Sequence, residues 1–279
     1  MTSVGIAARI GVLAALFAVL APVQLVASRR GARIAHRIPV MFHRLFLRLF
    51  AVRVRVEGTP PSTGHPVLVL ANHVSWLDIP VMGSLAPLSF VAKQEIATWP
   101  VFGFCARLQR CVFLDRTRRS ATAEVNAEVA ERLAGGDAIV LFPEGTTGDG
   151  NRLLPFRSSI VGAATAALAA STHEEVVLQP MSLSYARRNG LPVTRREMPD
   201  IAWYGDMELP PHFLAWARGG PLDVVVSWGR PIPFGRETDR KRATIQAETE
   251  VRRALNAASQ RNGTTPNVLA RTQEGPQQA

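Results

Sequence analysis

From residue 50 onward, short apolar runs alternate with longer stretches in which apolar residues recur at helical spacing. The first run, Val52-Arg-Val-Arg-Val56, alternates strictly, which predicts a strand with one face toward water or lipid. Apolar-rich runs at 66–71, 88–92, 111–115, 137–142, 176–184 and 223–228 predict six more strands. Between them lie helical patterns. Over 118–134, Ala121, Val125, Val129 and Leu133 recur every fourth residue, with Glu124, Glu128 and Glu131 off that stripe. Gly135 and Gly136 close this helix. Residues 158–170 are alanine-rich and helical, and 238–258 set Ile245, Val251 and Leu255 among charges, as on a surface helix. Strands alternating with helices predict an α/β fold: a mixed, mostly parallel sheet of about seven strands flanked by helices.

The two ends of the chain read differently. Ile10 to Ala27 holds 18 residues without a charge, near the roughly 17–20 needed to cross a hydrocarbon core. Pro22 and Gln24 weaken a full span, so a helix lying in the interface stays open. A cleaved secretory signal fits poorly, because Leu25 and Ala27 do not make a small-x-small site and the arginines stand on the wrong flank. Residues 31–50 interleave Arg and His with bulky apolar groups, which predicts a basic amphipathic helix, broken at Pro39. Such a helix lies in a membrane interface or packs on the domain. Residues 259–279 carry too little apolar surface to order and predict a disordered tail. The chain thus divides into an anchor over 1–50, an α/β domain over 51–258 and a tail over 259–279.

Charge changes the picture once it is located. The net charge of +10 suggests nucleic acid, but residues 1–55 hold nine arginines and no acid, while the remainder holds 23 basic and 22 acidic residues. Nucleic-acid binding predicts basic residues spread over the folded body, so no nucleic-acid partner is expected. Eight arginines follow the apolar run within about thirty residues and predict a body on the cytoplasmic side of the inner membrane. Two cysteines, Cys105 and Cys111, make no disulfide framework, and packing accounts for them.

Two candidate sites fall where a strand gives way to a loop, the usual place for chemistry in an α/β sheet. After 66–71 comes Asn72-His73-Val74-Ser75-Trp76-Leu77-Asp78. A histidine held by an aspartate is a proton acceptor for a hydroxyl, and points to transfer of a group onto an alcohol. A plainer reading makes Ser75 an N-cap and Asp78 its capping-box partner, and a second oxygen leaves room for both roles. One His and one Asp lack the three ligands of a catalytic zinc, so no metal is expected. After 137–142 comes Phe142-Pro-Glu-Gly-Thr-Thr147. Pro143 stops the strand, Gly145 allows a tight turn, and Glu144 can accept from a substrate hydroxyl, although a plain turn has the same look. No lysine completes a P-loop after Gly148-Asp-Gly150, and there is no Gly-x-Ser-x-Gly elbow. The strand Val112–Asp115 ends on Arg116, whose planar fork suits an anionic head group or a surface salt bridge. Arg157 stands close in sequence to the Glu144 turn.

In this order, the pieces resemble the lysophosphatidate acyltransferase family, glycerolipid acyltransferases with a His-x-x-x-x-Asp signature. The resemblance covers roughly residues 50–235. His73 and Asp78 match the first block and Phe113-Leu-Asp-Arg116 the second. Phe142-Pro-Glu-Gly-Thr146 matches the third and Val177-Leu-Gln-Pro180 the fourth. The resemblance implies an acyltransferase domain over 51–258. It implies that His73 deprotonates a lysolipid hydroxyl while Asp78 orients the ring, and that the alkoxide attacks an acyl thioester on coenzyme A or acyl carrier protein without an acyl-enzyme. No cofactor beyond that co-substrate is implied. Arg116, Glu144, Gly145, Thr146 and Arg157 are the implied substrate-binding residues. Where the family often has an arginine after Phe-Pro-Glu-Gly-Thr, this chain has Thr147, which weakens the hold on a full phosphate unless Arg152 or Arg157 compensates. Ala202-Trp-Tyr-Gly-Asp-Met207 with His212 also resembles a branch that includes lyso-ornithine-lipid acyltransferases. Both acceptors, 1-acyl-sn-glycerol-3-phosphate and lyso-ornithine lipid, remain open.

Overall fold

The computed structural model describes residues 2–60, 66–114, 119–170 and 174–261. Its strands are β1 (Val52–Glu57), β2 (Val67–Ala71), β3 (Leu88–Lys93), β4 (Val112–Leu114), β5 (Ala138–Leu141), β6 (Glu175–Arg188), β7 (Leu191–Pro192), β8 (Leu222–Trp228) and β9 (Ile232–Gly235). They form one sheet in the order β1-β8-β6-β2-β5-β3-β4, with β7 and β9 paired to β6. All pairs along that order are parallel except β6 with β8. The seven expected strands are present, and the sheet is mixed and mostly parallel. The two extra strands are two and four residues long, too short for a period to show, and each contains a proline.

The helices are α1 (Ser3–Arg29), α2 (Ile34–Leu49), α3 (Asp78–Gly83), α4 (Pro100–Leu108), α5 (Arg119–Ala134), α6 (Gly162–Ala170), α7 (Leu209–Arg218) and α8 (Arg240–Arg261). They cover both faces of the sheet. On β2, Val67, Val69 and Ala71 join a core with Leu47, Phe50, Leu77 and Trp216. Leu68 and Leu70 join the opposite core with Val129, Leu133, Ala164 and Val251. A strand buried on both faces reads as a continuous apolar run rather than an alternating one. That is why β2 is apolar throughout, whereas β1 at the sheet edge alternates valine with arginine. α8 continues three residues past the expected boundary at 258, where Ala258 is buried. Residues 262–279, and with them most of the expected tail, lie outside the described residues.

The N-terminal segment departs from expectation at Pro39. α2 runs unbroken through it. A mid-helix proline has no N–H for the carbonyl four residues earlier, here that of Ala35. Gln24 of α1 supplies the missing donor, its Nε2 donating to Ala35 O at 2.9 Å. The same Nε2 donates at 3.0 Å to Leu108 O, a terminal carbonyl of α4. Gln24 is only 2% exposed, so the one strongly polar side chain in the apolar run faces protein. Among the described residues, α1 alone is long and apolar enough to cross a membrane.

Gln24→Leu keeps much of the shape and removes the donor to both carbonyls. It is expected to cost about 1–3 kcal/mol, the penalty for stranding buried acceptors, read as a lower midpoint of thermal unfolding in detergent. In a Pro39→Ala background, which restores the N–H facing Ala35 O, the same substitution should cost less. An equal cost in both backgrounds removes this account of Pro39.

Candidate active site

β2 and β5 are adjacent and parallel, with Leu70 opposite Leu141. Their carboxyl ends therefore deliver two loops side by side: the one from Asn72 to Leu77, and the one beginning at Phe142. Asn72 fastens the first loop to β6, donating from Nδ2 to Leu183 O at 3.0 Å and accepting at Oδ1 from Leu183 N–H at 2.8 Å. The second loop clasps the main chain of His73 on both sides. Its Glu144 Oε1 accepts from His73 N–H at 2.6 Å, and its Gly148 N–H donates to His73 O at 2.8 Å.

The His73 ring is then fixed by two contacts. Its face stacks on Phe142 at a centroid distance of 3.9 Å and 13° between planes. Its Nδ1 lies 2.7 Å from Asp78 Oδ2. A carboxylate in that place accepts from Nδ1–H, which leaves the lone pair on Nε2, the tautomer a general base requires. The imidazole is 20% exposed and the carboxylate is fully buried. Asp78 opens α3 and carries out the plainer role as well, since Oδ2 also accepts from Val74 N–H at 2.7 Å and Ser75 N–H at 3.0 Å. Ser75 is not the N-cap expected of it: Leu77 holds that place, helical geometry begins at Asp78, and the Ser75 Oγ accepts from Leu77 N–H at 3.3 Å within the loop. Tyr185 of β6 donates its hydroxyl to Asp78 Oδ1 at 2.5 Å. One carboxylate thus serves the loop backbone, the imidazole and a phenol.

Glu144 stands beside this pair, almost wholly enclosed. It is 3% exposed, and its second oxygen accepts from Leu154 N–H at 2.8 Å. Burial pushes its carboxyl up to about 7 against the pull of these two backbone bonds, and the Asp78 charge pushes the same way. Gly145 sits at φ +74°, a left-handed turn position where a side chain strains the backbone. The Arg157 guanidinium lies over it, about 3.4–3.5 Å from where a Cβ would stand. Arg157 is exposed and its backbone N–H donates to Pro143 O at 2.9 Å, and Thr146 is exposed as well. His73, Asp78, Glu144, Gly145 and Arg157 therefore form one constellation. Arg116 lies outside the described residues.

A cavity of about 420 Å³ adjoins this constellation, with His73, Glu144 and Tyr185 in its lining. Arg152, Arg195 and Arg252 also line it, the last of them paired with Glu248 at 2.8 Å, a positive balance suited to an anionic group. Behind the loop, Trp76 Nε1 donates to His212 Nδ1 at 3.0 Å, and His212 Nε2 meets Ala202 O at the same distance. Trp76 also packs edge-on against Trp216 of α7, with centroids 5.1 Å apart, and against Phe46 of α2 at 6.2 Å. The amphipathic N-terminal helix is thereby in direct contact with the loop that carries His73. Sequence reasoning missed Asn72 and Tyr185. For Tyr185 the signal is a phenol on the core-facing row of a strand, whose hydroxyl must find a partner.

The sheet and these blocks define an acyltransferase, an enzyme. A family model described as "Acyltransferase" matches residues 53–184. A lyso-ornithine lipid O-acyltransferase of Brucella abortus is 45% identical over 222 residues, which cover 80% of this chain and 83% of that protein. A 1-acyl-sn-glycerol-3-phosphate acyltransferase of Neisseria gonorrhoeae is 39% identical over 146 residues, covering 50% of this chain and 57% of that protein. The crystal structure of the 1-acyl-sn-glycerophosphate acyltransferase of Thermotoga maritima superposes with a TM-score of 0.58 at 22% identity, covering 80% of this chain and 78% of that chain. It shares the fold. This chain belongs to the acyltransferase family.

Proposed function

We propose that this protein transfers a fatty acyl chain from a thioester to the free hydroxyl of lyso-ornithine lipid, giving ornithine lipid. The observation that carries the acceptor is the extent of likeness. The Brucella relative matches over four-fifths of each chain, whereas the Neisseria relative matches over about half. Thr147, in place of an arginine, is in keeping with an acceptor that lacks a phosphate monoester. The cationic cavity supports a carboxylate-bearing head group, and ornithine supplies one. Arg157 and Thr146 are exposed beside the Glu144 turn, where they can meet a head group.

In this reading the lysolipid hydroxyl gives its proton to His73 Nε2, and Asp78 stabilises the imidazolium that forms. The oxygen attacks the thioester carbonyl, the C–S bond breaks, and the thiolate leaves and takes the proton back from His73. The donor is an acyl carrier protein or coenzyme A thioester, and the protein needs no metal or further cofactor. Helix α1 anchors the chain in the inner membrane with the α/β domain on the cytoplasmic side, held by the arginines that follow it. A second acceptor, 1-acyl-sn-glycerol-3-phosphate, is favoured by the shared Phe-Pro-Glu-Gly-Thr block and the Neisseria relative.

The test supplies the purified full chain with acyl carrier protein or acyl coenzyme A and each acceptor in turn, following thiol release and the lipid product. Thiol release with lyso-ornithine lipid alone is expected. Release only with the glycerol phosphate acceptor selects the second reading, and release with neither ends both.

A further inference from the structure

Tyr185 reaches the active site from β6, five residues beyond the fourth signature block at Val177–Pro180 on the same strand. Its ring is 6% exposed on the core-facing row of β6. Its hydroxyl donates to Asp78 Oδ1, while Oδ2 receives the imidazole and two backbone N–H groups. The division of labour between the oxygens matters. A carboxylate can rotate, and only Oδ2 is placed for His73. With Oδ1 occupied by the phenol, the plane of the carboxylate is set.

We infer that Tyr185 is a positioning residue for acyl transfer: through its hydroxyl it holds Asp78 Oδ2 against His73 Nδ1 and draws charge from the carboxylate. The inference rests on the reading of His73 as the base. Burial and the Asp78 charge push the phenol well above its ordinary value, so it stays a donor throughout the working range of pH. A donor that draws charge from Asp78 weakens the hold of Asp78 on a protonated His73. Removing that donor makes the imidazolium more stable, so His73 titrates at higher pH. A stronger donor does the opposite. The other titratable and charged groups around the pair include Glu144 from the loop after β5, Arg152, Arg195 and Arg252 around the cavity, and Glu248 of α8, which pairs with Arg252. A change of phenol leaves all of them in place.

The chain has two tyrosines, Tyr185 and Tyr204, which makes a two-sided test possible. In a Tyr204→Phe background, Tyr185→Phe removes the donor and keeps the ring. Incorporation of 3-fluorotyrosine in the same background labels Tyr185 alone and makes its hydroxyl a stronger donor with little change of shape. The readout is the titration midpoint of the His73 ring by NMR on the full chain in detergent, assigned by the signal missing in His73→Ala. It is read beside the acid limb of kcat/KM. Tyr185→Phe should raise the midpoint by about half a unit to one unit, in the range of a lost hydrogen bond to a charged group. It should also lower kcat roughly 10-fold with KM changed less than about 2-fold, as a group acting only in the transition state would. Fluorotyrosine should move the midpoint downward. A purely structural role for the ring predicts no movement in either protein, and a midpoint unmoved by both changes overturns the inference. An unmodified chain with no acyl transfer refutes the proposed activity instead, and the NMR midpoints still decide the coupling of Tyr185 to His73.

Discussion

Replacing His73 by alanine is expected to lower acyl transfer by about 10²–10⁴-fold, the range for loss of a placed general base, while the protein folds and unfolds much as before. The imidazole lies partly exposed over Phe142 and bonds to one side chain, Asp78. Its removal leaves no backbone group stranded. Asp78→Ala should behave differently. It takes the acceptor away from the imidazole, from two buried backbone N–H groups and from the Tyr185 hydroxyl. Each stranded donor costs about 1–3 kcal/mol, so this variant should lose both activity and several degrees of thermal stability. Asp78→Asn is intermediate. The amide oxygen can keep the imidazole and the loop N–H groups while its NH₂ turns to Tyr185, whose hydroxyl can also accept. The loop then survives, and the charge that stabilises the imidazolium does not. Turnover with the two acceptors and an unfolding midpoint for each variant check the ordering. Full activity in His73→Ala removes the general-base reading, and an unchanged midpoint in Asp78→Ala removes the view of Asp78 as the organiser of the loop.

That ordering shows what the linear chain discloses and what it hides. Strands buried on both faces announce themselves, because β2 and β5 can contain nothing but apolar residues. The positions of His73 and Glu144 at the ends of those strands are legible for the same reason. That the two loops meet is not legible, since it depends on β5 inserting beside β2 rather than at the sheet edge. The Ser75–Asp78 spacing allowed both a cap and a catalytic dyad, and the carboxylate carries out both contacts at once. Tyr185 lies 107 positions from Asp78, and no local period points from one to the other. Pro39 misled for a similar reason. Local chemistry breaks the helix there, and a donor on another helix, Gln24, mends it.

Glu144→Gln should separate function from stability more sharply than any of these. Glu144 binds the backbone of His73 through one oxygen and of Leu154 through the other. At pH 8, above the value near 7 to which burial pushes it, it is a carboxylate and accepts at both. Glutamine keeps one acceptor and turns an NH₂ toward the other N–H, which pushes that segment away. A base misplaced by about 1 Å can cost up to 10²-fold, so a loss of about 10-fold in kcat is expected. Stability should move the other way. The folded-state value lies above the ordinary 4.5, so the folded protein binds this proton more tightly than the unfolded chain. The stabilising contribution of the group is present below 4.5 and is lost as pH rises through 7. The raised value amounts to about 3 kcal/mol against the buried charge, at 1.36 kcal/mol per unit, which outweighs one hydrogen bond at about 1–1.5 kcal/mol. The amide mimics the protonated acid without that burden. At pH 8 the variant should therefore unfold at the same temperature as the parent or higher, while turning over more slowly. As pH falls below 7 the parent takes up its own proton, and the ratio of the two turnover rates should approach one. A variant both slower and less stable at pH 8 would show that the paired acceptors, rather than the buried charge, dominate at this position.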